Sequence, residues 1–164
     1  SGIKSLADMK GKQVSFGSQS STSGHLMPRS FLLQANIEPE KDFKRIAYSG
    51  AHDATIASVV SGKVDAAALD ITVWQKFVTE NKVNTQDVNV FFTTPPYFNY
   101  NWSVHADMPV QQREKIKAAL LGLNPANPEH AEILKLNRAT RYVTTTPENY
   151  KGLESAARSA GLLQ

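Results

Sequence analysis

Apolar residues recur along this chain in two periods, and their alternation lays out most of the architecture. Residues 12–16 (Lys-Gln-Val-Ser-Phe) alternate polar and apolar and stop at Gly17, which predicts a short strand. A polar run over residues 18–24 follows, after which Met27, Phe31, Leu32 and Ala35 fall at helical spacing. Phe43 to Tyr48 predicts a second strand. Ile56, Val59 and Val60 mark a helix that Gly62 can end, since glycine enters a left-handed cap without steric penalty. Val64 to Leu69 is almost wholly small and apolar, the composition of a strand covered on both faces. Val73/Phe77 and Trp74/Val78 are i,i+4 pairs and give a third helix, while Val88–Thr93 and Asn101–His105 predict two more strands. Strands and helices in alternation imply an α/β fold with a mainly parallel sheet flanked by helices, which binds ligands at the carboxyl ends of its strands. Beyond residue 105 the pattern is helical. Asp107 with Pro109 opens one helix, whose inner face is Ile116, Leu120 and Leu123. Asn127-Pro128 and Thr146-Pro147-Glu148 repeat that start signal, and Tyr150, Leu153 and Ala157 stripe a last helix stopped by Gly161.

Composition narrows the function. With 164 residues, 41% of them hydrophobic and 20% charged, the chain can bury a core of ordinary domain size. No apolar run approaches the roughly 20 residues that cross a bilayer. The net charge of +3 arises from Lys and Arg scattered along the chain, not gathered into a block, which argues against a nucleic-acid surface. There is no cysteine, so disulfides, thiolate metal sites and cysteine nucleophiles are excluded. Ser1-Gly2-Ile3-Lys4 lacks the apolar core of a signal peptide, and the expectation is a chain that begins in mid-protein.

Three strand-to-helix turns carry the chemistry. Ser21, Thr22 and Ser23 sit where a strand has ended and a helix begins, so hydroxyls, unpaired amides and the helix dipole can converge on an anion with several oxygens. The plainer reading is a helix cap in a solvated serine run. His52, in Tyr48-Ser49-Gly50-Ala51-His52, should lie at the same sheet edge as a donor to an anion or as an ordinary surface histidine. Asp70 follows the apolar run 64–69, again at a carboxyl end. It can cap the next helix, or it can meet a proton or ammonium group on a ligand. Ser23, His52 and Asp70 could alternatively form a hydrolase triad, but no G-x-S-x-G elbow presents the serine. His25, His52, His105 and His130 lack metal-ligand spacing, and no phosphate-loop or dinucleotide glycine motif is present. No metal, cofactor or catalytic residue is therefore expected.

Gly2-Ile3-Lys4-Ser5-Leu6-Ala7-Asp8-Met9-Lys10-Gly11-Lys12 is similar to the segment that enters the second lobe of type II periplasmic binding proteins. Ser21-Thr22-Ser23-Gly24-His25-Leu26-Met27-Pro28 resembles the signature of their phosphonate-binding branch. Ser49–His52, Gly62–Asp70 and Pro95–Trp102 follow in that family's order. The resemblance implies a periplasmic receptor that captures a phosphonate or phosphite-like oxyanion and delivers it to an ABC permease. It also implies that Ser21, Thr22, Ser23 and His52 hold the phosphorus oxygens and that Asp70 reads the ligand's other end. At Asn101 some members have an acid that contacts the ligand. The Asp70 position favours an aminoalkyl ligand such as 2-aminoethylphosphonate. The family's first lobe normally precedes Ile3–Lys12. Residues 1–100 are thus expected to be the second, ligand-binding lobe. Residues 101–164 are the return crossover strand and the helices that complete the missing lobe. Apolar faces left bare on those helices invite self-association, and a one-sided site binds weakly. A sensory module of a membrane signalling protein with the same fold is the alternative, although the chain ends just past its last helix, as a free receptor would.

Overall fold

The three earliest strand signals condense into one parallel sheet. In the computed structural model, which describes residues 2–164 and leaves Ser1 outside them, β1 (Gln13–Phe16) lies between β2 (Arg45–Tyr48) and β3 (Ala66–Ala67). Val14 pairs with Ile46 on one side and Ala66 on the other. Val14, Ser15 and Phe16 are all buried although the sequence alternates, so both faces of β1 are covered. Ser15 settles its hydroxyl by donating to the Phe16 carbonyl at 3.1 Å. The core around β1 gathers Ile3, Met9, Leu32, Ile37, Phe43 and Ala66, with Phe91 packed against it. Removal of side chains such as Phe16 and Val14 from water contributes about 1.5–3 kcal/mol each.

Helices fill the connections. A π-helical turn, Thr22–Leu26, runs into α1 (Met27–Gln34), and α2 (Pro39–Asp42) precedes β2. Then α3 (His52–Val60) links β2 to β3, and α4 (Ile71–Thr79) leaves β3. As expected, Gly62 stands just past α3 in the left-handed region, at φ 70°. The two-residue β3 is shorter than the run Val64–Leu69, because it ladders with β1 only at Val14 and Ser15. That pairing extends one residue each way through Asp65 N–H to Gln13 O and Ala68 N–H to Ser15 O.

The described residues divide into two compact units: residues up to Asn99 together with Tyr150–Gln164, and Tyr100–Asn149. In the first, α7 (Lys151–Ser159) packs Ala156 and Ala157 against Leu26 and Met27, and Gly161 ends it at φ 72°. The second holds α5 (Val110–Leu121) and α6 (Pro128–Leu136). Asn127 caps α6 as expected, its Oδ1 accepting from the N–H groups of Glu129 and His130. α5 instead begins at Val110 behind Pro109 with no side-chain cap, and Asp107 is engaged with His105. Residues 88–93 and 101–105, expected as strands, are irregular. Alternating apolar residues describe side-chain surroundings, whereas a strand needs a neighbouring backbone, and none of the described residues pairs with either segment.

Candidate functional site

Parallel pairing forces the ends of β1, β2 and β3 to one edge, and each is followed by one of the chemistry-bearing turns. Hydrogen bonds stitch those turns together. Gly50 N–H donates to Gly17 O at 3.2 Å, and Asp70 N–H makes a long contact of 3.5 Å with His52 Nδ1. Ser49 secures the middle turn: its N–H and hydroxyl both donate to Phe16 O, at 3.0 and 3.1 Å. Ser21–Ser23, His52 and Asp70 are thus gathered at one place.

The serine turn is not a plain α-helical start. Ser21, in extended conformation, caps it, with its Oγ accepting from Gly24 N–H at 3.0 Å, while its carbonyl takes both His25 and Leu26 N–H groups. The Leu26 bond spans five residues and widens the turn into π geometry. Gly17 N–H closes the loop onto Gly24 O at 2.8 Å. A side chain at Gly24 has no room, because a Cβ there would stand 2.8 Å from Ser21 Oγ and 3.2 Å from Gly17 Cα. The amides and hydroxyls of Thr22 and Ser23 have no hydrogen-bond partner among the described residues. Four donors on two adjacent residues at the positive end of a helix are what a tetrahedral oxyanion requires.

His52 is the first residue of α3 and half-buried. Since the Asp70 amide donates to Nδ1, the ring proton belongs on Nε2, which can donate in turn. Asp70 is buried and caps α4: Oδ1 accepts from Thr72 N–H at 2.8 Å and Thr72 Oγ1 at 2.6 Å, and Oδ2 accepts from Asn99 Nδ2 at 2.9 Å. Burial pushes its carboxyl up, but the Thr72 hydroxyl, the Thr72 and Val73 amides and His52 together bring it below the ordinary value of 3.8. It is therefore an ionised carboxylate with one lone pair uncommitted on Oδ2. A catalytic triad would have that carboxylate on His52 Nδ1; here a backbone amide occupies the nitrogen. Asn101 belongs to the second unit, where it is exposed and accepts from Ser103 Oγ at 2.8 Å.

The family model for the periplasmic phosphonate substrate-binding proteins of ABC transporters matches residues 1–150. The chain belongs to that phosphonate-binding family. Among curated family members it is 38% identical to the probable ABC transporter phosphite binding protein PhnD1 of Prochlorococcus marinus (strain MIT 9301), over 96% of this chain and 55% of the relative. The solved PhnD1 of the same organism, in complex with methylphosphonate, superposes with a TM-score of 0.85 at 36% identity, covering 99% of this chain and 62% of that one. A binding protein component of an ABC phosphonate transporter from Pseudomonas aeruginosa shares the fold, with TM-score 0.70 at 20% identity over 98% of this chain and 54% of that one. The chain thus spans about half to three fifths of the length of these relatives.

In this member of the phosphonate-binding family, two residues that hold the site were missed in the sequence. Asn99 and Thr72 hold Asp70 from opposite oxygens. Thr72 could have been found two residues after a capping aspartate, where a threonine hydroxyl meets the cap. Asn99 could not, since 29 residues separate it from Asp70.

Proposed function

We propose that this chain supplies the anion-holding lobe of a periplasmic receptor that captures a phosphonate or phosphite and passes it to an ABC permease. The unpartnered amides and hydroxyls of Thr22 and Ser23, at one sheet edge with His52 and Asp70, carry this reading. Thr22 and Ser23 hold two phosphorus oxygens, the Ser21 hydroxyl adds its proton, and His52 Nε2 reaches a third oxygen. Asp70, ionised beside an anion, needs a hydrogen to meet. The free lone pair on Oδ2 takes either a protonated phosphorus oxygen or the ammonium of 2-aminoethylphosphonate. Asn101, the position where some members of the family resemblance carry an acid, is a further candidate contact. The ligand leaves chemically unchanged, because nothing aligns His52 to activate Ser23. Residues up to 100 form the binding lobe, with α7 packed on it, and the exposed apolar residues of the second unit serve the other lobe.

The likeness to PhnD1, solved with methylphosphonate, supports the ligand class. Calorimetric titration with methylphosphonate, phosphite, 2-aminoethylphosphonate and phosphate tests it. Heat of binding from methylphosphonate or phosphite is the expected outcome. Ser23→Ala should weaken binding by roughly tenfold to a hundredfold, the equivalent of one hydrogen bond to a charged acceptor. No heat from any of the four compounds overturns the proposal.

A further inference from the structure

One buried titratable side chain in the serine signature has no part in the site as described so far. His25, 4% exposed, lies within the π-helical turn, and its ring is wedged between Phe16 (centroids 4.8 Å apart) and Tyr48 (5.1 Å, edge-on). Its Nδ1 stands 2.7 Å from the Gln19 carbonyl, and its Nε2 is 3.3 Å from Tyr48 Oη. A carbonyl can only accept, so Nδ1 carries the proton. In the neutral ring Nε2 then accepts, and the Tyr48 hydroxyl donates to it. The tautomer thereby follows from the contacts.

Those contacts lie on both sides of the seat. Gln19 precedes Ser21 and His25 follows Ser23, so the hydrogen bond spans the segment that offers its donors to the anion. A second bond, Gly17 N–H to Gly24 O, closes the same loop nearer its base. The exposed Gln19–Ser20 stretch has no other tie from Gln19 to the protein among the described residues. We infer that His25 is the positioning residue of the anion seat: through Nδ1–H it clamps the Gln19 carbonyl and holds Ser21, Thr22 and Ser23 ready before ligand arrives. The inference rests on the proposed oxyanion site. Preorganised donors bind more tightly than mobile ones because the loop need not be ordered on binding.

Packing and clamping by His25 can be separated with two substitutions. His25→Phe keeps a ring between Phe16 and Tyr48 but cannot donate to Gln19. His25→Asn places an amide nitrogen where the imidazole has Nδ1, keeping the donor while losing the ring. Titration with methylphosphonate and with phosphite should show His25→Phe weakened about tenfold at a nearly unchanged melting temperature. His25→Asn should stay within about threefold of wild type although it melts earlier. Hydrogen exchange of the amides of residues 19–24, without ligand, should quicken in His25→Phe and not in His25→Asn. Wild-type affinity in His25→Phe, or equal losses in both variants, overturns the positioning role. Silence of the wild type toward both ligands overturns the oxyanion site itself, and the exchange contrast then reads the clamp alone.

Discussion

Close approach of Gly17 and Gly24 makes the serine turn a place where one methyl group matters. In Gly24→Ala the new Cβ meets Ser21 Oγ, which is already held by the Gly24 amide, and the Gly17 backbone behind it. Rotating Ser21 away breaks its cap, and moving Gly17 strains the end of β1. Such overpacking costs roughly 1–3 kcal/mol. The expected outcome is a melting temperature several degrees lower and a loss of methylphosphonate affinity; unchanged values in both would show that the turn has slack. Asp70 obeys a similar logic. Its three donors answer the burial of its charge, so it is a helix cap and, in the site proposed above, a fixed negative point that would meet a ligand proton.

Among the elements, α7 is the one whose position is least expected from its own sequence. Its alanines Ala156 and Ala157 let it approach Leu26 and Met27 closely, and Leu26 is the last residue of the serine turn. Packing against α7 therefore supports the serine turn through Leu26. Ala156→Leu should overpack this contact, lowering stability by about 1–3 kcal/mol and weakening phosphonate binding with it. Ser155→Leu, on the exposed face of the same helix, should shift stability by no more than about 0.5 kcal/mol. Denaturant unfolding and calorimetry on the two variants check the contrast, and equal effects would detach α7 from the site.

At the scale of the whole molecule, acid should act in two stages. Burial, aided by the nearby Arg29 charge, lowers the affinity of His25 for a proton below the ordinary 6.5, against the pull of Gln19 and Glu40. Between 6.5 and its folded value the unfolded chain takes a proton that the folded one refuses, so stability declines as pH falls through that window and then levels. The second stage comes from carboxylates held low in the folded state. The Arg29 guanidinium depresses Glu40, and Thr72 holds Asp70 down despite its burial. Their contribution is complete above their ordinary values of 4.5 and 3.8 and is lost as pH drops through the folded ones. Melting curves taken from about pH 7.5 to about pH 3 should show both declines, and His25→Phe should abolish the first. A wild-type profile flat down to about pH 5 would contradict it. Charge is not the only global liability. The second unit exposes Trp102, Val110 and Leu136 at 66%, 62% and 83%, and α5 buries none of its residues. Sedimentation velocity should reveal concentration-dependent association that Val110→Lys with Leu136→Lys reduces; a monomer at all concentrations would refute it.

Periodicity and turn chemistry alone determined the α/β order, the parallel strands, the glycine stops at Gly62 and Gly161 and the cap at Asn127. Each of these depends on neighbours a few residues away. The grouping of Ser21–Ser23, His52 and Asp70 was legible for the same reason, since parallel strands must deliver their carboxyl ends to one edge. The tertiary structure decided what depends on distant partners. It buried Ser15 by covering both faces of β1, confined β3 to its pairing with Val14 and Ser15, and left residues 88–93 and 101–105 without a ladder. It also brought Asn99 onto Asp70 and seated the His25 ring between Phe16 and Tyr48. Side-chain spacing encodes which face is apolar, but only the folded chain determines which backbone or polar group lies opposite.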